Sequence, residues 1–255
     1  MRADVFLFEK GYYKSRNKAC EAIARGEVFV SGKPVKKASQ ELSGGDEIEV
    51  RAEKIPFVSI GGDKLEKAVT EFNPCVEGFT FIDAGASTGG FTDCLLRRGA
   101  KMVFCVDVGK GLLDEKLTAD DRVVVMDETN VRFLTCEDFP CVIDAAVADC
   151  SFISLEYVLP VLKSLIKNDG YIIALIKPQF ELDKKFRLKN GILRDKKERL
   201  SVLKRIYGFI ESENMFVSGI TEAPIYENKN VEYLAYITKN SARSVDFDKL
   251  VSKLV

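Results

Sequence analysis

The sequence of 255 residues contains no histidine. Histidine is the side chain that most often serves as a general base near neutral pH, and it is the commonest protein ligand for transition metals. Any acid–base chemistry must therefore use lysine, aspartate, glutamate, tyrosine or cysteine. We expect no metal site in this protein.

Long apolar runs are missing as well. No stretch approaches the ~18 uninterrupted apolar residues of a membrane span, and residues 1–10 lack the apolar run and cleavage site of a secretory signal. Hydrophobic residues make up 46% of the chain and charged residues 30%, which is ordinary for a globular protein with a sizeable core. We expect a cytoplasmic protein with no membrane partner.

Paired cysteines are a third absence. The seven cysteines are scattered, and no two of them form a Cys-x-x-Cys pair. An odd and scattered set does not fit a disulfide framework or a zinc site. Because several cysteines lie in strand-like runs such as 103–106, we predict reduced thiols that are mostly buried.

The net charge of −1 conceals two basic segments. Residues 1–37 hold nine lysines and arginines against four acids, and residues 176–205 hold eleven against four, so the rest of the chain carries a net charge of −13. Such segregation of positive charge is typical of a nucleic-acid-binding protein. Two solvated helix faces would give the same pattern.

Residues 1–50 have the pattern of a small α+β domain. Ser15 offers a cap for a helix whose apolar residues follow helical spacing. Short strands are predicted at 28–30 and 48–50, with a turn at 31–34. A linker is predicted at 51–58, because it contains a proline that breaks any helix.

The run SRNKACEAIARGEVFVSGKPV, residues 15–35, resembles the RNA-binding domain named after a small-subunit ribosomal protein. The resemblance covers roughly residues 1–50 and implies that the basic helix grips structured RNA. The candidate RNA contacts in this domain are Arg16, Lys18, Arg25 and Lys33. A small module with ordinary surface lysines is the alternative.

Residues 59–255 alternate between strand, loop and helix. The predicted strands are residues 79–83, 102–107, 122–126, 142–148, 171–176, 215–221 and 231–238. The predicted helices are a first one around Leu65 and then residues 89–98, 154–167 and 195–213. This alternation predicts an α/β fold with a mostly parallel, seven-stranded sheet and helices on both faces.

A glycine-rich turn lies between the first strand of this sheet and the next helix. Glycines there let the backbone approach a ligand at the carboxyl end of the strand. The Gly-x-x-x-Gly-Gly spacing departs from the Gly-x-Gly-x-x-Gly of dinucleotide binders, and the Gly-Lys-Ser/Thr of a triphosphate site is missing. Asp107 follows Gly85 by 22 residues, where an acid binds ribose hydroxyls. The predicted nucleoside-cofactor contacts are Asp83, Gly85, Ser87, Thr88, Gly89, Gly90, Asp107 and Asp127.

Six short motifs occur in order along the rest of the chain. They are DAGASTGGFTDCLLRRGA (83–100), VDVGKG (106–111), DETNVR (127–132), ADCSFISL (148–155), LIKPQFE (175–181) and NVEYLAY (230–236). Together they resemble the TlyA-type family of hemolysins and ribosomal RNA 2′-O-methyltransferases. The resemblance implies a class I Rossmann-like methyltransferase domain that uses S-adenosylmethionine. It also implies ribosomal RNA or ribosomal subunits as partner, and cytidine as the methylated nucleoside.

This family shares a Lys-Asp-Lys-Glu tetrad with the FtsJ-like methyltransferases, and motif matching puts the tetrad on Lys64, Asp149, Lys177 and Glu232. Asp149 and Lys177 end adjacent predicted strands, which directs both at the ligand edge of the sheet. Without histidine, a lysine is the natural acceptor of the proton of a ribose hydroxyl. We assign that role to Lys177, the orientation of the hydroxyl to Lys64, and the orientation of the two lysines to the acids.

Within the second basic segment, residues 184–199 carry eight lysines and arginines and follow the Lys177 motif, so we expect them to hold RNA beside the reaction centre. The candidate contacts are Lys184, Lys185, Arg187, Lys189 and Arg194. Ile60 and Glu128 stand where the family usually carries arginine, which affects substrate contacts more than the chemistry.

Two other functions compete with the enzyme. An RNA-binding assembly factor that has lost turnover would bind the cofactor without forming product. A membrane-lytic protein, as the hemolysin label says, would need a secretion route or an amphipathic insertion segment, and the sequence shows neither. The target nucleotide and the oligomeric state stay open, with a monomer as the simplest expectation.

Overall fold

The structure is a computed structural model, and it describes residues 1–13, 15–24, 26–50, 57–182, 188, 191–225 and 229–254. The chain divides into two compact units. The first contains the N-terminal fifty residues, and the second begins at Phe57.

The first unit packs two helices on a three-stranded antiparallel sheet of order β2-β1-β3. Its elements are α1 (Ala3–Glu9), α2 (Arg16–Ala24), β1 (Val28–Val30), β2 (Lys33–Pro34) and β3 (Ile48–Val50). Ser15 Oγ accepts a hydrogen bond from Lys18 N at 3.2 Å, as a helix cap does. The turn is shorter than predicted, because Lys33 already pairs with Val30 in the hairpin.

The second unit contains a seven-stranded sheet of order β6-β5-β4-β7-β8-β10-β9. Its strands are β4 (Thr80–Ala84), β5 (Met102–Val106), β6 (Val123–Met126), β7 (Ile143–Ala148), β8 (Ile166–Ile176), β9 (Phe216–Glu222) and β10 (Tyr233–Thr238). Neighbouring strands from β6 to β8 run parallel, and β10 runs antiparallel to both of its neighbours. The predicted fold class is confirmed.

The helices of this unit are α3 (Ile60–Phe72), α4 (Gly90–Arg97), α5 (Glu115–Thr118), α6 (Leu159–Leu165), α7 (Pro178–Glu181), α8 (Lys196–Ser212) and α9 (Phe247–Val251). The helix predicted at 154–167 is wrong in its bounds. Ser154 caps a separate 3-10 turn at Leu155–Tyr157, and Pro160 fits only the first turn of α6 because it lacks an N–H. Ile166 already belongs to β8.

Helices cover both faces of the sheet, so the strands are buried on both sides. Along β4, Phe81 packs into the cluster that contains Leu65 of α3, and Ile82 packs into the opposite cluster with Leu159 of α6 and Ile206 of α8. Successive side chains of a strand point to opposite faces, which explains this division. The loops after β4, β5 and β7 are thereby attached to strands whose residues are mostly buried.

Phe57 and Val58, which the sequence analysis placed in the linker, pack within the second unit. Phe57 is buried against α3 and lies under the Arg97 guanidinium, 5.1 Å from the ring centroid. Val58 N donates to Asp93 Oδ2 at 2.8 Å. The packed part of this unit therefore begins two residues before the predicted boundary.

All seven cysteines are free thiols, as expected, but the prediction that most are buried is wrong. Cys94 and Cys105 are buried, whereas Cys75, Cys136 and Cys141 are exposed because they lie in loops or a 3-10 turn. Across the ranges described above, no helix has the length and apolar character needed to cross a membrane.

Candidate active site

A cleft of about 520 Å³ lies at the edge of the sheet where β4, β5 and β7 end. Open α/β sheets bind nucleotides at this edge. Three of the eight predicted cofactor residues, Gly85, Ser87 and Asp107, line the cleft. Gly85 has a φ of 81°, and a Cβ there would lie 3.0 Å from the Asp149 carbonyl oxygen, so the turn requires glycine.

The carboxylate of Asp107 is fixed by two backbone amides. Its Oδ2 accepts from Ser87 N and its Oδ1 from Gly109 N, each at 2.8 Å. The exposed apolar side chains of Val108 and Leu112 stand beside it in the cleft. A nucleoside has ribose hydroxyls that can donate to a carboxylate and a flat base that can pack on apolar surface. The residues present therefore fit the predicted cofactor.

Asp83 lies below the glycine turn and is fully buried. Its Oδ2 accepts a hydrogen bond from Thr92 Oγ1 at 2.7 Å, and its Oδ1 has no hydrogen-bond partner in the described part of the chain. Burial and, to a smaller extent, the nearby Asp149 carboxylate raise the pKa of Asp83 to about 7, against the opposing effect of Thr92.

The other predicted cofactor residues do not line the cleft. A Cβ on Gly89 would lie 2.2 Å from Leu117 Cδ1, and a Cβ on Gly90 would lie 2.7 Å from Gly62 N, so both glycines permit close packing. The Thr88 carbonyl accepts from Asp114 N at 3.3 Å. Asp127 Oδ2 accepts from Gly111 N at 2.8 Å and so fixes the loop after β5.

Lys177 and Asp149 form an ion pair at the ends of two adjacent parallel strands. Lys177 Nζ lies 2.6 Å from Asp149 Oδ1 and donates to Ser151 Oγ at 2.7 Å. The lysine is 8% exposed. Its amine is therefore held on two sides by groups of the loop that follows β7.

Lys64 and Glu232 form the second ion pair, with Lys64 Nζ 2.6 Å from Glu232 Oε2. Gln179 Nε2 also donates to Glu232, at 3.3 Å. Glu232 was predicted inside the last strand, but β10 begins one residue later, at Tyr233. Tyr233 pairs with Ile176, the residue before Lys177, so Glu232 and Lys177 lie at neighbouring strand ends on the same edge of the sheet.

Glu181 is a buried acid that the sequence analysis did not select. Its two carboxylate oxygens accept from Ser154 Oγ at 2.7 Å and from Leu155 N at 2.8 Å. Arg205 of α8 donates to the Glu181 carbonyl at 2.6 Å. Burial raises the pKa of Glu181, against these hydrogen bonds. Glu181 thus ties the loop after β7 to the turn that carries Lys177.

Ser151 was also missed, although it lies inside a quoted motif. Nothing in the sequence separates it from its neighbours Cys150 and Ser154, since the contact with Lys177 arises only from folding.

The structure describes four of the nine predicted RNA contacts. In the first unit, Lys33 is exposed and Arg16 NH2 lies 2.7 Å from Asp4 Oδ2. Burial raises the pKa of Asp4, but hydrogen bonds from Arg2 and Arg16 outweigh it and bring that pKa to about 2. Arg16 therefore also stabilises α1. Lys18 is half-buried, and Arg194 is exposed. Arg25, Lys184, Lys185, Arg187 and Lys189 lie outside the described residues.

No group of histidine, cysteine or acidic side chains with the arrangement of a metal site occurs in the parts of the chain given above. The seven-stranded sheet with one reversed strand and a nucleoside cleft defines the second unit as a class I methyltransferase domain.

The profile of the FtsJ-like methyltransferase family matches residues 57–239, and that of the S4 domain matches residues 1–48. The chain therefore belongs to the FtsJ-like methyltransferase family. It is an enzyme whose methyl donor is S-adenosylmethionine.

Similar proteins cover nearly the whole chain. The Bacillus subtilis (strain 168) protein YqxC, provisionally named an rRNA methyltransferase, is 41% identical over 92% of this chain and 85% of its own. The Mycobacterium tuberculosis (strain H37Rv) 16S/23S rRNA (cytidine-2′-O)-methyltransferase TlyA is 37% identical over 96% of this chain and 92% of its own. A solved structure, provisionally described as a hemolysin from Streptococcus thermophilus, matches with a TM-score of 0.77 and 36% identity over 99% of this chain and 94% of its own.

Proposed function

We propose that this enzyme methylates the 2′-hydroxyl of a cytidine in ribosomal RNA. The observation that carries the proposal is the Lys177–Asp149 ion pair, whose aspartate lines the cleft, with the Lys64–Glu232 ion pair at the neighbouring strand end. The S4 domain and the names of the TlyA relatives support RNA, and the same names support cytidine.

Gly85, Ser87 and Asp107 would hold the methyl donor. Gly85 lets the turn pack against the Asp149 backbone at the cleft, and the fixed Asp107 carboxylate would accept hydrogen bonds from ribose hydroxyls. When bound, S-adenosylmethionine supplies a methyl group on a positively charged sulfur. The remaining tasks, alignment of the attacking oxygen and removal of its proton, fall to side chains of the protein.

The four charged side chains divide these tasks. Asp149 and Glu232 each fix one lysine amine, at 2.6 Å in both pairs. Lys64 would orient the 2′-hydroxyl, and Lys177 in its neutral form would accept the proton as the oxygen–carbon bond forms. Because the lysines are nearly buried, side-chain flexibility contributes little to misalignment.

The experiment incubates the protein with labelled S-adenosylmethionine and either free ribosomal RNA or separate ribosomal subunits. The modified ribose is then mapped by reverse-transcription stops at low nucleotide concentration. We expect Lys177→Ala to lower the rate of methyl transfer by about 10²–10⁴-fold, the usual contribution of a general base. Lys101→Ala, an exposed lysine at the opposite end of β5, is the matched control.

A wild-type rate in the Lys177→Ala variant would contradict the proposed chemistry. Cofactor binding without product on any of these RNAs would instead favour an RNA-binding assembly factor. Leakage from vesicles treated with the purified protein would favour the membrane-lytic alternative.

A further inference from the structure

We propose that the hydroxyl of Ser151 relays the proton of the substrate 2′-hydroxyl to Lys177. This inference rests on the proposed function and adds a fifth polar side chain to the reaction centre.

Ser151, not Lys177, is the member of the pair that faces the cleft. Ser151 is exposed and lines the cleft, whereas Lys177 is 8% exposed and is not among the lining residues. The two are in contact, with Lys177 Nζ 2.7 Å from Ser151 Oγ. A proton that leaves a hydroxyl in the cleft therefore meets the serine oxygen before the lysine nitrogen.

The hydrogen-bonding capacity of Ser151 suits a relay. A serine hydroxyl has one hydrogen to donate and two lone pairs to accept with. Lys177 donates to one lone pair, and within the described ranges no hydrogen bond uses the hydroxyl hydrogen of Ser151. The second lone pair and the hydrogen remain for groups in the cleft, or for Lys177 once its amine is neutral.

Two concerted proton movements connect the substrate hydroxyl to Lys177. The O2′–H bond breaks while an Oγ–H bond forms, and the original Oγ–H bond breaks while an Nζ–H bond forms. In the same event the O2′–methyl bond forms, and the methyl–sulfur bond breaks with its electron pair left on sulfur. Lys177 ends as an ammonium beside the Asp149 carboxylate, so the charge lost from sulfur is retained in an ion pair.

Hydrogen bonds fix both ends of the loop that carries Ser151. Ser154 Oγ and Leu155 N both bond to the buried Glu181 carboxylate. At the front of the loop, Cys150 Sγ donates to the Ala84 carbonyl at 3.5 Å. Fixed at both ends, the loop keeps Oγ within hydrogen-bond distance of Nζ, which a relay requires.

The test compares Ser151→Ala with Ser151→Thr, which retains a hydroxyl. In single-turnover assays with saturating donor and RNA, we expect the alanine variant to transfer methyl about 10–10³-fold more slowly, within the range of general acid–base catalysis. We expect the threonine variant to recover most of that loss, and both variants to bind S-adenosylmethionine within about twofold of wild type. The matched control is Ser164→Ala, because the Ser164 hydroxyl donates to the Val161 carbonyl on the surface of α6.

A double-mutant cycle tests whether Ser151 acts through Lys177. If Ser151 acts through Lys177, Ser151→Ala should have little further effect in the Lys177→Ala background. Multiplicative losses in the double variant, a wild-type rate for Ser151→Ala, or an equal loss of donor affinity would each overturn the relay. A wild-type enzyme that modifies no ribose 2′-hydroxyl would instead overturn the proposed function, so the two failures are distinguishable.

Discussion

Lys177 and Glu181, four residues apart, hold the same loop at its two ends. Lys177 Nζ contacts Asp149 and Ser151 at the start of the loop, and the Glu181 carboxylate accepts from Ser154 and Leu155 at its end. The turn from Lys177 to Glu181 therefore fixes both ends of this loop. The geometry of the lysine–aspartate pair depends on a residue that touches neither donor nor substrate.

Glu181→Ala should consequently lower the rate of methyl transfer. We expect a loss of about tenfold or more, because small misalignments of reacting groups are costly, while the dissociation constant for S-adenosylmethionine stays within about twofold. Glu181→Gln, which can still accept from Leu155 N, should recover much of the rate. Glu137→Gln on the surface is the control, and a donor affinity that fell in step with the rate would contradict a positioning role.

Asp83 should make stability depend on pH. Its folded pKa of about 7 lies above the unfolded value of 3.8, so the folded state binds the extra proton between these values. The stability from the buried neutral acid is complete below about pH 4 and is lost as pH rises through about 7. Between pH 5 and pH 8, we expect the wild type to lose about 3 kcal/mol of unfolding free energy that the Asp83→Asn variant does not lose.

The measurement is the free energy of unfolding in urea at both pH values, for wild type, Asp83→Asn and the exposed control Asp169→Asn. Equal pH dependence in wild type and Asp83→Asn would show that Asp83 is ionised in the folded protein at pH 5.

Gly85→Ala should weaken donor binding. The new Cβ would lie 3.0 Å from the Asp149 carbonyl oxygen, at a φ of 81° that disfavours alanine. We expect the dissociation constant for S-adenosylmethionine to rise by about tenfold or more, because the contact would displace the turn that lines the cleft and a loss of about 1.4 kcal/mol of binding free energy gives that factor. Gly208→Ala in α8 meets nothing within 4 Å and should stabilise the helix by about 1 kcal/mol without changing donor affinity. Calorimetric titration of S-adenosylmethionine into the Gly85→Ala and Gly208→Ala variants measures both donor affinities.

The second basic segment includes the exposed cations Arg194, Lys196 and Lys197. If they contact phosphates, replacing all three by alanine should reduce the slope of log affinity against log salt by about 2–3. S-adenosylmethionine affinity should not change. The control replaces three exposed lysines elsewhere, Lys67, Lys101 and Lys253, and an unchanged slope in the Arg194, Lys196 and Lys197 variant would remove this segment from the RNA interface.

Periodicity predicted the sheet well because its strands are buried on both faces and bounded by turns. The bounds of β8 differ most. It begins at Ile166, five residues before the prediction, because Ile166 pairs with Ile143 across a register shift that no local pattern reveals. The start of α6 was missed because Ser154 resembles a helix cap, whereas Pro160 decides where the helix begins.

The site was predictable where a residue ends a strand and less so where packing decides. Asp107, Asp149 and Lys177 directly follow strands and meet at the sheet edge, as expected from parallel topology. Gly89 and Gly90 suggested ligand contact, but their missing side chains make room for Leu117 and for Gly62. A glycine pattern cannot distinguish a bound ligand from a neighbouring helix.

The reversal of β10 also has a consequence for synthesis of the protein. The ion pair between Lys64 and Glu232 joins residues 168 positions apart, and the glutamate is synthesised after strands β4 to β9. A chain still being translated thus lacks the complete set of four charged groups until Glu232 has been added.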